Sequence, residues 1–203
     1  MITTGSAVVL STLLAVGSGY ASGVLRVVGE RWLFPLLLLG LMVPTETVIV
    51  PLYYDFLANG LTDKYRGIVL AHVGRGVSFG VFWMRAAFRT VPSAVAEAAE
   101  LDGAGPWAQL WRVHLPMIRP AVITFVLLRV MWTWNDYFLS LILVSDPAHQ
   151  PLPLGPGVFS TRYGVQANLL AEAAVLIALP VLLLYLFFQR EFIRGMLSGA
   201  VRE

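Results

Sequence analysis

Long apolar stretches dominate this sequence and leave few folds open to it. An α-helix needs ~20 mostly apolar residues to cross a bilayer core. Five stretches are long enough, at residues 6–25, 32–56, 67–88, 117–144 and 168–188. Only 13% of the 203 residues are charged, about half the share in an average soluble domain. Because lipid cannot satisfy open backbone groups, the stretches predict helices. The expected fold is an all-α, polytopic transmembrane bundle with five visible spans.

The composition also argues against several classes of function. With no cysteine, the chain has neither disulfides nor thiol chemistry. The formal net charge is only +2 and the basic residues are scattered, which gives nucleic acid no electrostatic basis for binding. His72, His114 and His149 are also scattered and suggest neither a metal site nor a catalytic set. We therefore expect no cofactor, no metal and no catalytic residue.

The charges between the spans predict the orientation of the chain. Nine arginines lie in the segments that join spans 1 and 2, join spans 3 and 4, or follow span 5, or at the span ends that border them, namely Arg26, Arg31, Arg85, Arg89, Arg112, Arg119, Arg190, Arg194 and Arg202. The opposite side has only Lys64, Arg66 and Arg162. Basic residues concentrate on the cytoplasmic side, so the C-terminus is expected inside and the N-terminus outside. Because no signal sequence precedes span 1, we expect that an earlier span is missing through truncation or a misassigned start codon.

One connection, at about 90–116, is too long and too regular to be a plain loop. Pro92 and Ser93 favour a helix start, and residues 94–101 are rich in the strongest helix formers. Gly103 suits a left-handed helix C-cap. The pattern predicts a short helix that ends in a glycine corner on the cytoplasmic side.

A second short helix is expected from Pro106 to Pro116. Its large side chains recur at helical spacing and predict a single face, made of Trp107, Leu110, Trp111 and His114. On physical grounds alone two interpretations stay open. The helix pair either docks onto a cytoplasmic partner or rests on the membrane with its tryptophans at the headgroup level.

Three short elements in this connection resemble the EAA loop of binding-protein-dependent ABC importer permeases. The family pattern runs EAA, then DGA after two residues, then LP further on, and this chain keeps that order and spacing. The matching residues are Glu97-Ala98-Ala99, Asp102-Gly103-Ala104 and Leu115-Pro116.

Further segments are similar to the carbohydrate-uptake branch of that family, and in particular to its maltose-type second permease. They are residues 51–53, 134–138, 151–155, 189–195 and 199–201. The resemblance implies a single permease domain over 1–203, with a coupling loop at about 90–116 and a cytoplasmic tail at about 189–203. The family has six spans with both termini inside, so this chain matches spans two to six and lacks the first.

The resemblance implies a transport subunit rather than an enzyme. Such a permease lies in the bacterial inner membrane, pairs with a second permease as a heterodimer, docks an ABC ATPase dimer and receives sugar from an extracytoplasmic solute-binding protein. The sequence contains no G-x-x-x-x-G-K-[ST] motif, so ATP hydrolysis is assigned to a separate subunit. In the family the EAA loop is a coupling helix, which implies that Glu97 contacts the ATPase and Asp102 braces the corner.

Two other segments keep two interpretations each. The tail at 189–203 either makes a second ATPase contact or lies on anionic lipid as a basic interfacial end. The outer loop at 145–167 contains four prolines and either docks the solute-binding protein or only connects two spans.

Ionisable residues inside the predicted spans are costly and suggest function. They are Glu46, His72, Arg75, Arg129, Asp136 and Glu172. Pairing between helices or with the partner subunit is favoured for Arg75 and Glu46. Aromatic faces beside amide and carboxylate groups suit a sugar, and on that ground the candidate substrate path consists of Arg129, Trp134, Asn135 and Asp136. An interfacial aromatic belt is the alternative for Trp132 and Trp134.

Three glycines of span 3, Gly74, Gly76 and Gly80, predict close helix packing.

Other functions remain as alternatives. The same machinery could instead carry glycerol phosphate or, less readily, a peptide or amino acid, and Arg75 with Arg129 would suit a phosphate. A secondary transporter would show an internal repeat, and an intramembrane enzyme would need a clustered nucleophile or metal set. The sequence shows neither pattern.

Overall fold

The computed structural model describes residues 1–25, 29–146, 149–161, 164–165 and 167–200. Its elements are α1 (Ile2–Tyr20, continued by a π-helical segment Ala21–Leu25), α2 (Glu30–Met42), α3 (Thr45–Ala58), α4 (Tyr65–Phe88), α5 (Ser93–Leu101), α6 (Pro106–Met117), α7 (Arg119–Trp134), α8 (Phe138–Leu143), a 3₁₀ segment Leu152–Phe159, β1 (Ser160–Thr161), β2 (Gly164–Val165) and α9 (Ala167–Ala200). The two-residue strands pair antiparallel, Ser160 with Val165 and Thr161 with Gly164. The predicted all-α class is confirmed, with this small hairpin as an addition.

Long apolar helices account for most of the predicted spans. Among the described residues, three helices are long and apolar enough to cross a membrane, over Ile2–Leu25, Tyr65–Phe88 and Ala167–Arg190. Two bent helix pairs raise the number to as many as five if each pair counts as one span. The predicted spans at 6–25, 67–88 and 168–188 therefore correspond to continuous helices.

The predicted span at 32–56 is wrong as one continuous helix. α2 and α3 meet at an angle of 99°, and the chain between them is extended at Val43 and at Pro44. Proline disfavours the helical conformation of the residue before it, and its ring fits the start of the next helix. Apolar composition continues through this break, so hydropathy alone did not reveal it.

The predicted span at 117–144 is likewise interrupted. α7 ends at Trp134 and α8 begins at Phe138. The Asp136 carboxylate Oδ1 accepts a hydrogen bond from the Leu139 N–H at 3.0 Å, so its side chain caps the new helix. At its other end α7 is bent by 80° from α6, with the break at Ile118.

The tightest packing in the bundle joins α1 to α4. A Cβ atom on Gly80 would lie 2.5 Å from the Ala15 Cβ, and one on Gly19 would lie 2.5 Å from the Met84 Cβ. Small residues let helices in lipid approach closely, and packing is what holds such helices together. The packing role expected of Gly76 and Gly80 is confirmed, whereas Gly74 faces open space and was predicted wrongly.

Two apolar clusters lie at the two ends of α4. The cluster at its Phe88 end joins α1, α4, α6 and α7 through Ala15, Val16, Tyr20, Met84, Phe88, Leu110, Ile118 and Phe125. The cluster at its Tyr65 end joins α3, α4 and α8 through Ile49, Phe56, Ile68, Ala71, Leu139, Leu143 and Val144. By contrast, α2 and α9 expose leucine-rich faces, for example Leu36 at 64% and Leu182 at 56%.

Candidate functional site

The elbow, residues 93–117, consists of α5, the corner at 102–105 and α6. Its corner is a Schellman motif: the Ala104 N–H donates to the Ala99 carbonyl at 2.9 Å, and the Gly103 N–H donates to the Glu100 carbonyl at 2.9 Å. Gly103 has φ +80°, a conformation that a Cβ atom strains. The predicted first helix and its left-handed glycine cap are confirmed.

The second half of the elbow starts as expected. Pro106 occupies the first turn of α6, where its missing N–H costs no hydrogen bond. The Gln109 side-chain amide donates to the Ala104 carbonyl at 2.9 Å and ties α6 to the corner. α6 continues one residue past Pro116, to Met117, before the chain bends at Ile118.

The predicted face of α6 is covered by the bundle along only one edge. Leu110 and His114 are 3% and 1% exposed, whereas Trp107 and Trp111 are 75% and 57% exposed. The four positions span an arc of about 100° on a helix of 3.6 residues per turn. The bundle covers only the Leu110 edge of this arc, so the tryptophans point away from the protein.

The motif residues of the elbow divide between its tip and its base. Ala99 and Ala104 are half-buried at the corner. Exposed residues at the tip are Glu97, Ala98, Asp102 and Gly103, beside Leu101, which is 90% exposed. Leu115 packs against the apolar cluster at the base, and Pro116 is exposed there. The tip thus combines carboxylates with large uncovered apolar side chains, a surface typical of a protein contact.

A second region, the cleft, opens between α2–α3 on one side and α4, α7 and α8 on the other. Its volume is about 1300 Å³. Polar groups on its walls come from Glu46, Arg75, Arg129, Asn135 and Asp136. Aromatic walls come from Phe79, Trp132, Tyr137 and Phe138.

Charged side chains on the cleft wall are held by partners far away in sequence. Arg75 forms an ion pair with Asp136, whose side chain is 10% exposed. The His72 Nδ1 lies 3.9 Å from the same carboxylate. Arg129 is 5% exposed and donates through Nη2 to the His72 carbonyl at 2.8 Å. Its Nε has no partner in the described part of the chain.

The expected pairing is found for Arg75, whereas pairing of Glu46 with a partner subunit stays a prediction. Arg75 is paired, but with Asp136 on the segment between α7 and α8. Glu46 lines the cleft and has no ion pair with any residue that the structure describes.

Only some of the residues predicted for the substrate path line the cleft. Arg129, Asn135 and Asp136 line the cleft, and the Asn135 amide donates to the Met131 carbonyl at 2.8 Å. Trp134 is 6% exposed and turns away: its Nε1 donates at 3.0 Å to the Ile177 carbonyl and ties α7 to α9.

Sequence reasoning missed Trp132 and Tyr137 as cleft residues. Trp132 is 48% exposed, stands edge-on to Phe79 with ring centroids 5.0 Å apart, and lines the cleft. Tyr137 is also 48% exposed there. A signal was available for Trp132, since it lies three residues before Asn135 and so shares its helix face.

Some predictions fall on residues that lie outside the described part of the chain. These are Arg26, Arg162 and Arg202, whose charges were used to predict the orientation, the side chains of residues 191–203, and parts of the outer loop.

The described start of the outer loop is fixed to the α3–α4 turn. There the Asp63 Oδ1 accepts hydrogen bonds from the N–H groups of Ser145 at 2.6 Å and Asp146 at 2.8 Å.

Comparison with known proteins agrees with this architecture. The family described as "Binding-protein-dependent transport system inner membrane component" matches residues 11–197. The chain belongs to this family. It is therefore a permease-type component of an inner-membrane transport system, and the predicted membership of the binding-protein-dependent permease family is confirmed.

Relatives of this permease include named sugar-system proteins. It is 31% identical to the diacetylchitobiose uptake system permease protein NgcG of Streptomyces coelicolor, over 97% of this chain and 66% of the relative. It is also 31% identical to the trehalose transport system permease protein SugB of Mycobacterium tuberculosis, over 100% of this chain and 73% of the relative. Among further relatives, the permease spans as little as 59% of the relative's length.

A solved structure has the same fold. The permease matches a chain in the crystal structure of a bacterial ABC transporter involved in the import of the acidic polysaccharide alginate. The TM-score is 0.77 at 24% identity, over 94% of this chain and 72% of that chain.

Proposed function

We propose that this chain is the transmembrane permease subunit of an ATP-driven importer for a sugar or sugar-like solute. The observation that carries the proposal is the elbow, a rigid two-helix projection with the family motif residues Glu97, Ala98, Asp102 and Gly103 exposed at its tip. The names of two relatives, which concern diacetylchitobiose and trehalose, support a sugar as the cargo. In this proposal residues 1–203 act as one permease domain.

The elbow is proposed to dock a separate ATPase. Glu97 offers an exposed carboxylate, and Leu101 and Trp107 offer apolar area that folding leaves uncovered. Ala98 and Gly103, also at the tip, allow a partner's backbone to approach closely. The corner around Asp102 is stiffened by its own backbone hydrogen bonds, so it transmits displacement rather than absorbing it. The chain would hydrolyse no ATP itself, which agrees with the lack of a P-loop motif.

The cleft is proposed as this subunit's share of the solute path. The exposed rings of Trp132 and Tyr137 offer stacking surface, while Asn135 and Asp136 offer hydrogen-bonding groups. Arg129 stands behind them as a fixed positive charge. Trp134 contributes indirectly, by holding α7 against α9.

Charge in the cleft favours a neutral solute over a phosphate. A phosphate site needs guanidinium groups free to converge on the anion. Arg75 is already paired with Asp136, and Arg129 is buried against the His72 carbonyl. Glycerol phosphate is therefore the second candidate cargo, behind an uncharged sugar.

The remaining partners are proposed from the family and from the surfaces that the structure leaves uncovered. The uncovered apolar faces of α2 and α9 suit lipid and a second permease in a heterodimer. The fixed turn around Asp63, at the opposite end of α4 from the elbow, suits a solute-binding protein that also touches the outer loop. In this arrangement the protein is a multi-pass component of a bacterial inner membrane with its C-terminal tail in the cytoplasm, on the ATPase or on anionic lipid.

Charge reversal at the elbow tests the proposal. Glu97→Arg should abolish uptake and weaken co-purification of the ATPase while membrane insertion stays normal, because it places a cation in the docking surface. Glu100→Arg is the matched control, an equal reversal of an exposed residue on the same helix that lies outside the motif. Uptake is measured in proteoliposomes with the partner subunits, the binding protein and labelled trehalose, maltose and diacetylchitobiose. Full uptake by Glu97→Arg would contradict the assignment.

A further inference from the structure

Tyr20, at the end of α1, reaches across to the elbow. It is 4% exposed, and its hydroxyl donates to the Pro106 carbonyl at 3.1 Å. Pro106 is the first residue of α6 and lies 86 positions further along the chain. Among the described side chains, this is the hydrogen bond that joins α1 to the elbow.

The ring of Tyr20 fixes the same junction by packing. It stands edge-on to Phe88 of α4, with centroids 5.4 Å apart, and to His114 of α6, with centroids 5.2 Å apart. The His114 Nδ1 lies 3.1 Å from the Gln109 carbonyl, so the imidazole is held within α6. One side chain of α1 therefore contacts both α4 and α6 at the point where the elbow leaves the bundle.

The part of α1 that precedes Tyr20 is tightly packed against α4. Within the five residues before it, Ala15 and Gly19 pack against Gly80 and Met84 of α4 so closely that a Cβ atom on either glycine would lie 2.5 Å from its neighbour. α1 and α4 therefore behave as one rigid unit at this end.

The elbow, by contrast, has few attachments of its own. None of the α5 residues is buried against the described part of the protein. α6 joins α7 through the 80° bend at Ile118, so no continuous helix braces the elbow against α7. Attachment of the elbow depends on the buried Leu110 and His114, on Leu115 at the base and on the bond from Tyr20.

We infer that Tyr20 is a positioning residue, which fastens the elbow to the α1–α4 unit so that displacement of the elbow moves the spans rather than bending the chain at Ile118. The inference rests on the proposed function. Without the hydroxyl the elbow still presents its tip to the ATPase, but it swings on its base. ATP hydrolysis then continues while less solute moves for each ATP.

The test compares Tyr20→Phe with Trp83→Phe in the full complex, reconstituted with its partner subunits and binding protein. Trp83 is the matched control because its Nε1 also donates to a backbone carbonyl on another helix, that of Ala121 in α7 at 2.9 Å, and not to the elbow. Uptake of labelled trehalose, maltose and diacetylchitobiose and ATP hydrolysis are measured in the same vesicles. A single buried hydrogen bond shifts an equilibrium by about two- to tenfold.

The expected result is a fall of about two- to tenfold in solute imported per ATP for Tyr20→Phe, with normal ATPase co-purification and a normal ratio for Trp83→Phe. An unchanged ratio in Tyr20→Phe, an equal fall in both variants, or loss of the ATPase from Tyr20→Phe would each overturn the inference. A wild-type complex that imports none of these sugars would instead contradict the proposed function on which the inference rests.

Discussion

The elbow and the cleft owe their geometry to different parts of the sequence. In the elbow, the corner is made by residues that are neighbours along the chain: Gly103 turns, Pro106 restarts the helix, and Gln109 ties the two together. In the cleft, the polar wall depends on pairs 57 to 61 positions apart, Arg129 with His72 and Arg75 with Asp136. The part proposed to receive force is thus specified locally, and the part proposed to meet solute is specified by how the helices pack.

Breaking the ion pair in the cleft should have the largest effect and should affect the cleft but not the elbow. Arg75→Gln leaves the largely buried Asp136 carboxylate without its cation. Breaking a fully buried pair costs 3–5 kcal/mol, and because Arg75 is half-exposed we expect about 2 kcal/mol of lost stability. Thermal unfolding of the purified protein in detergent should show a lower midpoint, and uptake should fall, while ATPase co-purification stays normal.

Arg66→Gln serves as the control for that change. Arg66 is an exposed arginine at the start of the same helix, without an ion pair to any described residue. It should leave both the unfolding midpoint and uptake unchanged. If Arg75→Gln released the ATPase but kept its stability, the division between the two regions would be wrong.

An intermediate effect is expected from the elbow corner. Gly103→Val forces a branched side chain into a left-handed conformation, at a cost of about 1–2 kcal/mol. Association with the ATPase should weaken by about 5- to 30-fold, measured by titrating the ATPase onto the reconstituted permease. The unfolding midpoint of the spans should not change.

Gly105→Val is the matched control two residues away. Gly105 has φ −66° and open space around it, so a side chain fits without strain. Equal weakening by both valines would mean that bulk at the tip, rather than the left-handed turn, sets the affinity.

The smallest effects should distinguish two tryptophans that lie two residues apart. Trp132→Ala removes an exposed ring of the cleft and should raise the solute concentration for half-maximal uptake about two- to tenfold. Trp134→Phe removes the hydrogen bond to Ile177 and should cost about 1 kcal/mol of stability with that concentration unchanged. If Trp134→Phe raised this concentration and Trp132→Ala did not, Trp134 rather than Trp132 would belong to the solute path.

The same contrast explains what could be predicted from the sequence. The α5 helix, the Gly103 cap and the Pro106 start follow from local rules, and all three were predicted. Which side of α6 is buried was not, because that depends on where α1 and α4 place Tyr20 and Phe88.

In the cleft, the sequence showed which polar residues lie in apolar runs, but it did not show which residues they contact. Arg129 and Asp136 were recognised as unusual in an apolar run, but the pairing of Asp136 with Arg75 depends on the crossing of α4 and α7. Hydropathy also missed the breaks at Pro44 and at Asn135, because apolar residues continue on both sides of each break.

Labelling of a cysteine at the elbow tip tests the central claim most directly. The chain has no cysteine of its own, so Ala98→Cys and, at the opposite end of the bundle, Asn59→Cys each introduce a unique thiol. With a membrane-impermeant maleimide, Asn59→Cys should react in intact cells. Ala98→Cys should react only in opened membranes, and the bound ATPase should protect it. Labelling of Ala98→Cys from outside, or equal labelling with and without the ATPase, would contradict the account.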